Sequence, residues 1–74
     1  MSKQHFTLTE EYIRLDDLLK VTGCVQTGGQ AKVLIQGGDV TVNGETCTMR
    51  GKKLRGEETV TVPRLQEEIV VDRP

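Results

Sequence analysis

Asn43-Gly44, set between Asp39-Val40-Thr41-Val42 and Glu45-Thr46-Cys47-Thr48, limits how this chain can fold more than any other pair of residues. Both central residues of a type I′ turn need positive φ, so Asn-Gly between two alternating segments predicts a tight β-hairpin. That hairpin commits the middle of a 74-residue chain to antiparallel sheet. A chain this short makes one domain and buries only roughly 60% of the surface it exposes when unfolded. Its hydrophobic residues amount to 35%, with Phe6 and Tyr12 the only aromatics, so the core rests on Leu, Ile and Val. So thin a core does not easily enclose a deep substrate cavity, which argues against an enzyme. The shortage of aromatics also argues against modules that stack unpaired bases on rows of Phe or Tyr.

On either side of the hairpin the hydrophobic period changes. His5-Phe6-Thr7-Leu8-Thr9 alternates and predicts a short strand. Leu15, Leu18, Leu19 and Thr22 recur at helical spacing and predict a helix over about 15–22, with Asp16 and Asp17 in its first turn and Lys20 in its last. Gly23 supplies the stop. A short connector leads to Thr27-Gly28-Gly29-Gln30, which fits the S/T-x-x-E/Q capping box and predicts a second helix with Ala31, Leu34 and Ile35 on its buried stripe. Glu58-Thr59-Val60-Thr61-Val62 predicts another strand, stopped by Pro63. Residues 63–74 read as an acidic tail whose Ile69-Val70-Val71 either adds an edge strand or frays. The fold class expected is α+β: two short helices packed on a small, mainly antiparallel sheet, with the domain over 1–62.

Charge is unevenly spread. The formal net charge is −1, yet residues 14–55 carry seven cations against four acids (+3), residues 1–13 sum to −1 and residues 56–74 to −3. A basic middle between acidic ends marks a possible polyanion-binding face. Nothing at the N-terminus resembles a signal peptide and no stretch approaches membrane-spanning length, so the expectation is a soluble, cytoplasmic protein, without a membrane partner. Cys24, Cys47 and His5 make no metal-ligand spacing, and the two thiols read as small reduced hydrophobes rather than a disulfide. No cofactor, no metal and no small-molecule substrate are expected. Neighbouring acids such as Asp16-Asp17 point in different directions, and no Ser/His/Asp or Cys/His grouping exists to do catalysis.

Three places remain where phosphate can be met: the glycine-rich helix start, the hairpin and the loop Arg50-Gly51-Lys52-Lys53-Leu54-Arg55. Four cations in six residues are usually a solvated turn. Beside Lys32 and a helix N-terminus, phosphate binding becomes the preferred reading. Glycines at 28 and 29 cost helix stability, and two explanations stand equally: open backbone N–H groups for a bulky anion, or close packing on the first helix. Gly28 to Lys32 lacks the spacing of a nucleotide-binding loop. Asn43 is explained by the turn alone, and Arg14 could pair with Asp17 one helical turn on.

These same residues, Leu15-Asp16-Asp17-Leu18-Leu19-Lys20, Thr27-Gly28-Gly29-Gln30-Ala31-Lys32, Gly38-Asp39-Val40-Thr41-Val42-Asn43-Gly44 and Arg50-Gly51-Lys52-Lys53-Leu54, resemble in order and spacing the RNA-binding domain of ribosomal protein S-four (S4), the alpha-L motif. The likeness covers about Phe6 to Val62 and is nearest to small stand-alone bacterial members of the YbcJ-like and YaaA-like kind. It implies a non-enzymatic, ribosome-associated protein of translation that reads structured ribosomal or transfer RNA through its backbone and shape, as a monomer. Carried over by position, the implied contacts are Arg14, Lys20, Thr27, Gly28, Gly29, Gln30, Lys32, Asn43, Arg50, Lys52 and Lys53; the loop reading adds Arg55. Many relatives carry arginine where this chain has Gly28, and Pro-Gly-Asp where it has Gly56-Glu57-Glu58. The competing expectation is a protein-interaction adaptor using the sheet edge or acidic tail without touching RNA.

Overall fold

The computed structural model describes residues 2–74. Seven strands and two α-helices follow one another as β1 (Ser2–Thr7), β2 (Ile13–Arg14), α1 (Leu15–Val21), α2 (Gly28–Gln36), β3 (Thr41–Val42), β4 (Glu45–Thr46), β5 (Lys53–Leu54), β6 (Thr59–Val62) and β7 (Glu67–Asp72), with a 3₁₀ turn over Pro63–Leu65. Five strands form a sheet in the order β1-β7-β6-β3-β4, and β2 and β5 form a separate antiparallel ribbon. All pairings in the large sheet are antiparallel except β1 with β7, which is parallel. This is the α+β architecture expected: two helices on a small, mainly antiparallel sheet.

Local chemistry accounts for the elements. Leu15, Leu18 and Leu19 are fully buried, while Thr22, the last of the predicted stripe, turns its hydroxyl back to the Leu18 carbonyl at 2.8 Å. Gly23 takes φ +83°, a conformation closed to most residues, and ends α1 there. At the start of α2, Thr27 Oγ1 accepts from the Gln30 N–H at 3.1 Å, as a capping box requires. The return bond lands one residue earlier than expected: Gln30 Oε1 accepts from the N–H of Gln26 at 2.7 Å. The hairpin closes with Val42 opposite Glu45, and Asn43 and Gly44 at φ +53° and +85°. Asn43 also ties that turn to β6, donating its N–H to the Thr59 carbonyl at 2.8 Å and accepting the Thr59 N–H on Oδ1 at 2.9 Å.

The core lies where the helices meet one face of the sheet. Leu15, Leu18, Leu19, Ala31 and Ile35 come from the helices, and Val42, Val60, Val62, Ile69 and Val71 from the strands. Both cysteines are free and half-buried.

Two expectations need correction. The first strand begins at Ser2 and ends at Thr7, earlier than the alternation suggested, where it pairs with β7 from Ser2 opposite Glu67 to Thr7 opposite Asp72. Residues 63–74 are neither an edge strand nor a frayed tail: β7 lies inside the sheet between β1 and β6, with Ile69 and Val71 buried. Its acids are matched by the neighbouring strand, Glu68 by Lys3 at 3.7 Å and Asp72 by His5 at 3.3 Å and the Thr7 hydroxyl at 3.1 Å. Two acids of β7, Glu68 and Asp72, are thus engaged across the parallel pair.

Candidate nucleic-acid interface

The ribbon of β2 and β5 is the scaffold of the cationic cluster. Ile13 pairs with Leu54 and Arg14 with Lys53, and Leu54 is fully buried, so the loop that precedes it is anchored at its far end. The loop also closes the start of α1: the Leu15 N–H donates to the Lys52 carbonyl at 2.9 Å and the Asp16 N–H to the Arg50 carbonyl at 3.0 Å. Two of the N–H groups that a helix leaves unsatisfied in its first turn are therefore met by the cationic loop. Arg14, Arg50, Lys52, Lys53 and Arg55 are gathered by backbone pairing, from two segments about forty residues apart in sequence.

Asp16 organises two of them. Its side chain is only 11% exposed, and Oδ2 stands 3.3 Å from Arg14 Nη2 and 3.7 Å from Arg50 Nε. Its Oδ1 accepts the Asp17 N–H at 2.8 Å, which fixes the carboxylate. Arg14 thus pairs with Asp16, not with Asp17 as helical spacing suggested; Asp17 is taken by Lys20 at 3.5 Å. The reason is that Arg14 precedes the helix in extended backbone, so an i+3 geometry does not apply to it. One carboxylate shared by two guanidiniums leaves a surplus positive charge in place. Lys52 has no carboxylate partner among the described residues. Lys53 Nζ sits 4.8 Å from the centre of the Tyr12 ring, and Arg55 lies 5.9 Å from it while reaching Glu11 at 3.7 Å.

Glu58 sets the far end of the loop. Its carboxylate accepts the N–H groups of Arg55, Gly56 and Glu57 at 2.9–3.1 Å, which closes the turn before β6. Burial alone would raise the Glu58 carboxyl, but these backbone donors outweigh it and hold it below the ordinary 4.5. A depressed folded value means that the unfolded chain binds the proton more readily, so this stabilisation is present above pH 4.5 and lost as pH falls through the folded value. Thermal melts between pH 6 and pH 3 should show Glu58→Gln losing less stability on acidification than the parent chain. Identical slopes would deny the carboxylate this role.

The other candidates are not joined to the cationic loop by hydrogen bonds or ion pairs among the described residues. The α2 start follows the C-terminal end of α1, whereas the cationic loop closes its N-terminal end, and no hydrogen bond or ion pair joins the two among the described residues. A side chain at Gly28 would meet nothing within 4 Å, and one at Gly29 only Thr27 Oγ1 at 3.8 Å. Close packing on α1 therefore does not explain these glycines. That start borders an apolar hollow of about 620 Å³ lined by Cys24, Val25, Val33, Leu34 and Leu65. Lys32 is exposed and without an acidic partner among the described residues. Lys20 is on α1, and Asn43 has its Oδ1 occupied by β6.

Sequence reading missed Tyr12 and Asp16 as parts of the cluster. Asp16 carried a signal, two residues from Arg14 at a helix start, but was credited only with the helix dipole. Tyr12 carried none, because its neighbours arrive through a two-residue ribbon.

With this geometry in view, the comparison with known families is decisive: the model described as S4 domain matches residues 6–71 of the 74. The chain belongs to the S4 domain family. The match runs through β7 almost to its end, in agreement with that strand's place inside the sheet. S4 domains are RNA-binding, which assigns this one a general RNA-binding role. No curated protein matches the chain. Among the described residues no helix of this S4 domain is long and apolar enough to cross a membrane, and no group of three or more His, Cys, Asp or Glu is placed to hold a metal ion.

Proposed function

We propose that this S4 domain is a non-enzymatic, cytoplasmic monomer that binds a structured element of ribosomal or transfer RNA through phosphate and shape. The observation that carries the reading is the cluster on the β2–β5 ribbon. There Arg14, Arg50, Lys52, Lys53 and Arg55 come together on backbone fixed by pairing with the start of α1, and Lys52 has no carboxylate partner among the described residues. Cations on a fixed backbone can match a folded phosphate track, which carries no base sequence. The open N–H groups of Gly28 and Gly29, with Lys32, supply a second anion contact for an RNA long enough to pass around α1.

Four to six phosphate contacts would give a slope of log affinity against log salt of roughly −3 to −5. Electrophoretic shifts with a structured RNA and with duplex DNA, at two or more salt concentrations, test this. RNA bound tightly at low salt, with that slope and in preference to DNA, supports the reading. Absence of a salt-dependent shift with RNA would instead favour the adaptor alternative, in which the same fold docks a protein. The engagement of the β7 acids by β1 leaves that alternative mainly the sheet edges at β1 and β4.

A further inference from the structure

We propose that Tyr12, with Lys53 and Arg55, seats one unpaired nucleotide of the bound RNA, and that guanosine fits it best. The inference rests on the RNA reading above and adds to it a base-specific contact that backbone recognition alone lacks.

Tyr12 is one of two aromatic residues in the chain, and it is 39% exposed directly before β2. Two cations lie against its ring, Lys53 at 4.8 Å and Arg55 at 5.9 Å. Their backbones are anchored, Lys53 by pairing with Arg14 and Arg55 by its carbonyl, which accepts from Arg73 Nε at 2.6 Å, while the Arg55 guanidinium reaches Glu11 at 3.7 Å. Arg73 completes a tie between the two ends of the chain by donating Nη2 to the Glu11 carbonyl at 2.6 Å. Part of the ring is thus open to solvent, with two cations against it. A stacking base takes the part of the ring that the cations leave open, and flexible cations at the ring's side can turn to its phosphate.

The hollow beside the ring, about 410 Å³, is bordered by Glu10, Glu11, Arg14 and Asp17 as well as Tyr12. Asp17 is held by Lys20, and Arg14 by Asp16, which leaves the glutamates as the adaptable acceptors. An ionised carboxylate only accepts hydrogen bonds, so it favours a base edge made of donors. Guanine offers two adjacent donors on its Watson–Crick edge, N1–H and N2–H, whereas uracil offers a single N–H between two carbonyls. A phosphate on Arg55 would displace Glu11 from it and release that carboxylate toward the base. One aromatic cannot form a row, so the site takes one nucleotide and belongs to a bulge or loop rather than a single-stranded track.

The test compares three RNA hairpins that differ at one position: a bulged guanosine, a bulged uridine and full pairing. The parent chain should bind the guanosine bulge about tenfold tighter than the paired hairpin, the gain of one stacked base. Tyr12→Leu should abolish that difference, so that the bulged and paired hairpins bind alike; Tyr12→Phe should keep it. In a second measurement on the parent chain, 2-aminopurine at the bulge should lose fluorescence on binding. Equal affinity of the parent chain for bulged guanosine and paired hairpins, or no quenching, overturns the seat while leaving the RNA reading intact. Equal affinity for guanosine and uridine bulges overturns the part assigned to the glutamates. No salt-dependent binding of any hairpin by the parent chain overturns the RNA reading itself.

Discussion

A chain ending at Val62 should not fold. It would keep both helices, the hairpin and the whole cationic cluster, and so retain every residue first singled out for phosphate. It would lose β7, which pairs with β6 on one side and β1 on the other, so that β1 would be left without a partner strand. The buried Ile69 and Val71 leave with it. A full-length chain of this size has a total stability of roughly 4–11 kcal/mol, at roughly 0.05–0.15 kcal/mol per residue. Shaving a buried isoleucine to alanine typically costs about 2–5 kcal/mol, and here two buried side chains and two strand interfaces go together. Far-UV circular dichroism of residues 1–62 should show a disordered chain at 25 °C, without a cooperative melt. A sigmoidal transition would mean that β7 is an accessory to a smaller folding unit. Ile69→Ala in the full chain is the milder version, and should lower the melting temperature by roughly 8 °C or more, at about 4–8 °C per kcal/mol for a domain of this size.

The contrast between what sequence reveals and what it hides follows the range of the interactions. Thr27 with Gln30, Gly23 after α1 and Asn43-Gly44 are local: each fixes a few backbone angles through residues three or four apart, and each was readable. β7 was ambiguous because Ile69-Val70-Val71 sits among five charged neighbours, and only the parallel partner β1, more than sixty residues away, turns those charges into cross-strand pairs. The β2–β5 ribbon was invisible for the same reason. Two residues in each strand give no period to detect, and the pairing is settled by Leu54 reaching the core beside Leu15 and by the loop carbonyls meeting the first N–H groups of α1. The candidate site inherits that split. The cations were legible as residue types, whereas their assembly around Asp16 and Tyr12 depends on contacts that no window of sequence contains.

Replacing Lys52 and Lys53 together by glutamate should abolish RNA binding at physiological salt and leave the fold native. The structural half rests on what these residues do through their backbone. The Lys52 carbonyl accepts from Leu15 and the Lys53 main chain pairs with Arg14, and neither bond involves the side chain. Lys52 has no carboxylate partner to lose, and Lys53 gives up a surface contact with the Tyr12 ring. The functional half rests on charge. Two positive groups become two negative ones beside Arg14 and Arg50, whose shared Asp16 already takes up part of their field. Losing two phosphate contacts should flatten the salt slope by roughly 2, and the new carboxylates repel the remaining phosphates, so affinity should fall about a hundredfold or more. Lys3→Glu is the matched control, because Lys3 sits on β1 opposite Glu68, in the large sheet and outside the ribbon; its effect on RNA affinity should be within twofold. If the double variant binds RNA as the parent does, with native circular dichroism, the phosphate track does not cross the ribbon. The face would then have to be sought around the α2 start and Lys32, where the glycines have no packing reason to be glycine.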